Sequence, residues 1–220
     1  MNKKVVIVSG GSIQDEFALG MLNEIQPDYI IGVDSGLDFL YRNHVNPTHI
    51  VGDFDSADLE AIAYYKNKTD IPIREFNPVK DATDTEIGVR LALGLEAKTL
   101  YLLGATGTRL DHVLANIQML KIALDAGVRA YLVDECNRIS LWKEDVTLFK
   151  EESFGTYFSI FPFGDSVEKV SITGAKYPLY EYHLTNGASR CVSNELAEAE
   201  VHITFSDGIL LLMETRDRNE

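Results

Sequence analysis

Six aspartates, Asp34, Asp53, Asp55, Asp81, Asp84 and Asp111, stand just after short apolar runs in the first half of this 220-residue chain. If the fold gathers them, their carboxylates repel one another strongly unless a counter-charge is present, and a bound cation supplies it. Magnesium suits such a set, because it prefers oxygen ligands and is commonly held by one or two carboxylates together with substrate phosphates. Asp53 and Asp55 are two apart, so in a strand that stays extended both side chains project to the same side and serve one metal. The competing reading is a turn, or the cap of a helix that starts near Ala57. Thr83 and Glu86 have the spacing of a capping box, which starts a helix and leaves Asp84 in its first turn, where its carboxylate can point toward a metal. Asp84 is therefore favoured over Asp81 as a ligand.

A partner for the phosphate is also present. Gly104-Ala105-Thr106-Gly107-Thr108-Arg109 lets backbone amides approach phosphate oxygens and leads into a helix whose N-terminus favours an anion. It is not a Walker A loop, since the Gly-Lys-Ser/Thr ending is absent and Arg109 stands near its place. Arg109 offers a planar fork of donors where a lysine offers a point charge. His112 and Asn116 follow one and two turns on; the alternative reading makes them a structural hydrogen-bonded pair. Ser9-Gly10-Gly11-Ser12 is the least specific of these loops, explained nearly as well by a flexible turn.

These residues need elements to position them. Short apolar runs at 4–8, 29–33, 49–51, 71–76, 99–103 and 130–133 alternate with amphipathic stretches, the pattern of a parallel sheet covered by helices on both faces. In such a sheet ligands bind beyond the carboxyl ends of the strands, where the five acidic or glycine-rich loops fall. The clearest helix is predicted over 109–126, with Leu110, Val113, Leu114, Ile117, Leu120 and Leu124 as its buried face and Arg109, His112 and Asn116 on another. After about Asn137 the texture changes. β-rich runs at 157–161, 169–172, 201–205 and 209–213, punctuated by glycines, predict a second, all-β domain. The expected architecture is an α/β domain over 1–136 followed by a β-sandwich over 137–220.

Composition narrows the partners. With 20 basic against 34 acidic residues the net charge is −14, a field that repels nucleic-acid phosphates. Two cysteines are too few for a disulfide framework and fit a reducing compartment. The apolar run after the N-terminal Met-Asn-Lys-Lys is too short for a signal peptide or a membrane span, which points to the cytoplasm with no membrane partner.

Taken in order, Gly52-Asp53-Phe54-Asp55-Ser56, Lys80-Asp81-x-Thr83-Asp84-x-Glu86 and Gly104-x-Thr106-Gly107-x-Arg109-x-Asp111-His112 resemble the motifs of the thiamine pyrophosphokinase family. Ser159 to Pro162, Gly174 to Leu179 and Val192-Ser193-Asn194-Glu195 resemble β-domain segments of its bacterial branch. The resemblance implies transfer of the terminal diphosphate of ATP to the hydroxyl of thiamine, giving thiamine diphosphate and AMP. It implies a homodimer with the active site between subunits. Asp53, Asp55 and Asp84 would hold magnesium with Asp81 and Asp111 assisting; Asp34, Thr106, Arg109, His112 and Asn116 would line the ATP site. Ser193 and Asn194 would serve thiamine across the dimer. Three other readings compete: a haloacid-dehalogenase-type phosphatase using Asp53 as nucleophile, a metal-dependent glycosyltransferase, and a non-catalytic nucleotide sensor.

Overall fold

The computed structural model describes residues 2–75 and 82–218. They divide into two compact units, Met1–Glu135 and Cys136–Glu220. In the first, strands β1 (Lys4–Val8), β2 (Tyr29–Val33), β3 (His49–Gly52), β4 (Ile73–Glu75), β5 (Thr99–Leu103) and β6 (Arg129–Val133) form parallel neighbours in the order β6-β5-β1-β2-β3-β4. Val5 to Val8 of the central β1 are fully buried, as a β-branched run covered on both faces should be.

The helices are α1 (Asp15–Ile25), α2 (Gly36–Arg42), α3 (Leu59–Lys68), α4 (Asp84–Gly94) and α5 (Leu110–Asp125). From β1 the chain steps outward through β2, β3 and β4, then returns past β1 to β5 and β6. Right-handed crossovers therefore set α1, α2 and α3 on one face and α4 and α5 on the other. In keeping with this, α2 packs on α3 and α4 packs on α5. Because the winding reverses between β1 and β5, the carboxyl edge beside those two strands is where a ligand crevice is expected.

The predicted strands recur with small shifts: β3 runs one residue further, to Gly52, and β4 begins at Ile73 instead of 71. Phe76 of the 71–76 run, Lys80 and Asp81 lie outside the described residues. The buried face of α5 differs from expectation. Asn116, Met119, Leu120 and Ala123 are buried, whereas Leu110 is 77% and Leu114 58% exposed. The stripe that packs inward thus runs through Asn116, the side assigned to polar residues. The physical reason is a hydrogen bond from Asn116 Nδ2 to Ala105 O at 2.7 Å, which satisfies a buried amide and turns the apolar Leu110 and Leu114 outward.

The second unit holds two antiparallel sheets. One has the order β12-β9-β14-β7, from β12 (Asn194–Glu195), β9 (Tyr157–Pro162), β14 (Leu210–Thr215) and β7 (Asn137–Trp142). The other is β11-β10-β13-β8, from β11 (Leu179–Thr185), β10 (Ser166–Thr173), β13 (Glu200–Thr204) and β8 (Val146–Phe149). Phe158, Ile160, Leu210 and Leu212 of the first sheet share one core with Val146, Leu148, Val167, Leu184, Val201 and Ile203 of the second, so the unit is a sandwich. Strands β7, β8 and β11 and the two-residue β12 lie outside the predicted runs. In β11 most positions are exposed or partly exposed, which removes the alternating signal.

Inside the first of these sheets Arg138 clasps Glu214 with two hydrogen bonds, Nε to Oε2 at 2.8 Å and Nη2 to Oε1 at 2.5 Å. The Glu214 side chain is only 6% exposed, so removing its partner strands a charge away from water. Arg138→Met should therefore lower the unfolding free energy by about 3 kcal/mol, read from urea denaturation, whereas replacing both residues with apolar ones should cost much less.

Candidate active site

A cleft of about 810 Å³ opens at the carboxyl edge of the first unit's sheet. Its walls come from each of the loops marked in the sequence: Ser9 to Ser12 after β1, Asp34 and Ser35 after β2, Asp53 and Ser56 after β3, Ala82 to Thr85 at the start of α4, and Gly104 to Arg109 with His112 and Asn116 after β5. Ser9 N donates to Leu103 O at 2.8 Å, Gly11 N to Gly104 O at 2.7 Å and Ser12 N to Thr106 O at 2.7 Å. The β1 and β5 loops are thereby laced together. Gly104 has a left-handed φ of 64°, and a Cβ there would overlap the Ser9 carbonyl oxygen, so glycine is required at that crossing.

Carboxylate oxygens of Asp34, Asp53 and Asp55 lie within 4.8 Å of one another. The geometry that brings the second pair together is not the extended strand expected. β3 stops at Gly52, and Phe54 takes a left-handed φ of 60° with its ring buried, so the chain turns between the two aspartates. The backbone N–H of Asp55 donates to Asp53 Oδ1 at 3.3 Å, a turn as well as a cluster. Neither residue caps α3; that role belongs to Asp58, whose Oδ1 accepts from Glu60 N at 2.7 Å.

Asp34, immediately after β2 and also at a left-handed φ of 46°, joins this group. Its Oδ1 is buried with no hydrogen-bond partner among the described residues. Burial, followed by the charges of Asp84, Asp53 and Asp55, pushes its carboxyl up to about 6, against a smaller opposing effect from the Ser35 backbone N–H. A buried, unpartnered carboxylate oxygen among like charges is a set of hard oxygen donors short of a cation, and the residues fit a divalent ion. Asp84 lines the same cleft from the first turn of α4. Thr83 caps that helix, its Oγ1 accepting from Glu86 N at 3.2 Å. The capping box is half-formed, since the Glu86 carboxylate reaches forward to Arg90 at 2.8–2.9 Å.

Arg109 and Asp111 behave differently from expectation. The guanidinium grips Asp111 through Nε at 3.2 Å and Nη2 at 2.6 Å, and this holds the Asp111 carboxyl below the usual range. Asp111 is thus spent on Arg109 at an exposed position and is not one of the clustered carboxylates. Arg109, Thr106, His112 and Asn116 do line the cleft. The hydrogen bond that Asn116 makes goes to Ala105 O and not to His112.

In the second unit, Ser193 is exposed at a left-handed φ of 56°, its backbone N–H held by Ser159 Oγ at 3.0 Å. Asn194 is buried, and its amide accepts from Tyr177 N at 3.0 Å and donates to Tyr177 O at 2.9 Å. It clamps the neighbouring segment and does not present itself to solvent. Ser9 and Thr85, whose hydroxyls meet at 3.0 Å in the cleft wall, were missed as individual residues. The only cue was a serine directly after the apolar run of β1.

Comparison with known proteins agrees with this geometry. Residues 24–132 match the family model for the thiamin pyrophosphokinase catalytic domain, and residues 145–210 that for the thiamin pyrophosphokinase vitamin B1 binding domain. The chain is 31% identical to the thiamine pyrophosphokinase of Bacillus subtilis over 187 residues, 85% of this chain and 87% of that one. The crystal structure of a Bacillus subtilis thiamine pyrophosphokinase superposes with a TM-score of 0.87 at 30% identity, covering 98% of this chain and 100% of the other. The Geobacillus thermodenitrificans thiamin pyrophosphokinase gives 0.84 at 30% identity, with 98% of each chain covered. With relatives this similar over nearly their whole length, and both family models matched in order, the chain belongs to the thiamin pyrophosphokinase family.

Proposed function

We propose that this chain is a thiamine diphosphokinase, transferring the diphosphate group of ATP to the hydroxyl of thiamine with release of AMP. The observation that carries the reading is the meeting of Asp34, Asp53 and Asp55 at a cleft walled by glycine-rich turns, which Asp34, Asp53 and Asp84 line. Asp34, Asp53, Asp55 and Asp84 would hold magnesium, with Asp81 a further candidate. When bound, the ion supplies neutralisation of charge on the phosphate oxygens. Thr106, His112 and the amides of the β5 loop, at the N-terminus of α5, would seat the triphosphate. Arg109, released from Asp111 or shared with it, would present its fork to phosphate.

The reaction asks little covalent work of the protein. The thiamine oxygen forms a bond to the β-phosphorus, the bridging bond to the α-phosphate breaks with its electron pair leaving on AMP, and the hydroxyl proton passes to a carboxylate of the cleft. Ser193 would contact thiamine, and Asn194 would act by clamping the Tyr177 segment. The two units would accordingly divide the work, residues 1–136 handling ATP and metal and 137–220 thiamine. A homodimer is part of the same proposal. Leu110 and Leu114, exposed one turn apart on α5 next to the cleft residues His112 and Val113, form an apolar surface that a second subunit would cover. A cytoplasmic location fits a chain of this length with only two cysteines. The phosphatase alternative would put the aspartate pair after the first strand, and here it follows β3.

Purified protein with ATP, magnesium and thiamine should yield equimolar AMP and thiamine diphosphate by chromatography; orthophosphate without AMP would refute the assignment. Asp55→Ala and Asp84→Ala should each lower turnover by about 100-fold or more while leaving the circular dichroism spectrum unchanged. Arg109→Lys should cost rate as well, because a point charge does not reproduce the planar fork.

Asp34 makes a separate prediction for the metal-free protein. Its folded-state carboxyl is raised to about 6, above the ordinary value of about 4, so the fold binds this proton more tightly than the unfolded chain does. Stability is then fully present below about pH 4 and falls as pH rises through about 6. In the presence of EDTA, Asp34→Asn should melt at a higher temperature than the parent above pH 6 and at the same temperature below pH 4. Saturating magnesium should shrink or reverse the difference.

A further inference from the structure

Three of the cleft loops converge on Ser9. Its N–H is held by Leu103 O at the end of β5, and its carbonyl occupies the space that a Cβ on Gly104 would need. On the other side a Cβ on Gly36, at the start of α2, would collide with the Val8 and Ser9 backbone. Ser9 is 3% exposed, so its backbone is boxed between the β2 and β5 loops and its hydroxyl has little freedom to choose a partner. That hydroxyl meets Thr85 Oγ1 at 3.0 Å. Thr85 directly follows Asp84 in the first turn of α4.

We propose that Ser9 and Thr85 form a positioning pair that registers the first turn of α4, and with it Asp84, against Asp34, Asp53 and Asp55. The inference rests on the metal-holding role given to those carboxylates. The Thr83 cap determines where α4 begins along its own axis, but its bond to Glu86 N is internal to the helix and does not tie it to the sheet. The apolar contacts of Val89 and Ala92 hold the helix on the sheet, yet dispersion contacts are shallow and non-directional and tolerate a small slide. A hydroxyl pair is directional, and O–H···O bonds weaken steeply when stretched or bent. Ser9 is suited to the task because its own backbone is fastened at the point where the sheet's winding reverses, next to the loop that carries Asp34. The pair therefore relays the position of the β1, β2 and β5 loop ends to Asp84, the cleft aspartate carried by α4.

The test uses the full chain with a non-hydrolysable ATP analogue, and measures Mn2+ binding from the loss of the free-ion paramagnetic resonance signal, alongside thermal melting and turnover. Ser9→Ala and Thr85→Val should each weaken Mn2+ binding by about tenfold, the usual scale for a residue that orients a metal ligand. The double variant should be no weaker than either single one, because the same bond is lost. Thr85→Ser, which keeps the hydroxyl, should restore binding. Should Ser9→Ala fail to fold, the comparison of Thr85→Val with Thr85→Ser carries the same information. Variants that melt earlier but bind Mn2+ within twofold of the parent, or whose losses add in the double variant, would overturn the pairing. A parent protein that binds Mn2+ and shows this pattern but makes no AMP would refute the proposed reaction and leave the pairing standing.

Discussion

Like charges held within a few ångströms are the constraint around which the first unit is organised. Asp34, Asp53 and Asp55 bring carboxylate oxygens within 4.8 Å of one another, and Asp84 adds its field. Nothing about such a group favours folding by itself. The unit tolerates it because the aspartates sit on loops whose backbones are determined by other forces: the buried β1 strand, the hydrogen bonds between the β1 and β5 loops, and the left-handed turns at Asp34 and Phe54. Backbone strain and charge repulsion at one place, compensated by the buried apolar core of the sheet beneath it, is the arrangement expected of a site built to bind.

Two helices moderate that repulsion. The N-termini of α4 and α5 both reach the cleft, through Thr83 to Thr85 and through Arg109 to His112, and each brings a partial positive charge from its unpaired N–H groups. Arg109 supplies the only full positive charge among the described residues lining the cleft, and it is held by Asp111 at the cleft's exposed side. Asp111 is thus paired with Arg109 at the exposed side, while Asp34, Asp53 and Asp55 face one another as like charges, an arrangement that a cation bound to a polyanion would fit.

The second unit solves a different problem. Its sandwich core is apolar on both inner sheet faces, and Arg138 satisfies both oxygens of the buried Glu214 carboxylate. Asn194 shows how a polar residue in this setting becomes structural: with donor and acceptor sides both bonded to the Tyr177 backbone, it shapes the surface without being part of it. Ser193, at a left-handed φ and exposed, is the residue this clamp leaves available.

Much of this was legible in the residues alone. The apolar runs marked five of the strands of the first sheet to within a residue or so, because a fully buried strand leaves an unbroken β-branched signature. Thr83 announced the start of α4 through a bond three residues long, and the ordered aspartate and glycine motifs announced the family. Local spacing carries no information about strand order, and this is why the rest had to come from the tertiary structure. Asp34 belongs with Asp53 and Asp55 because β2 lies beside β3 in the sheet. Asp111 does not, because the Arg109 fork takes it first. The α5 helix turned its polar Asn116 inward and Leu110 and Leu114 outward, with the buried Asn116 amide bonded to the Ala105 carbonyl. Ser9 gained its importance only from the three segments that crowd it. Short-range patterns determined which residues were available; proximity across the sheet edge, and competition among partners for each polar atom, decided which of them meet.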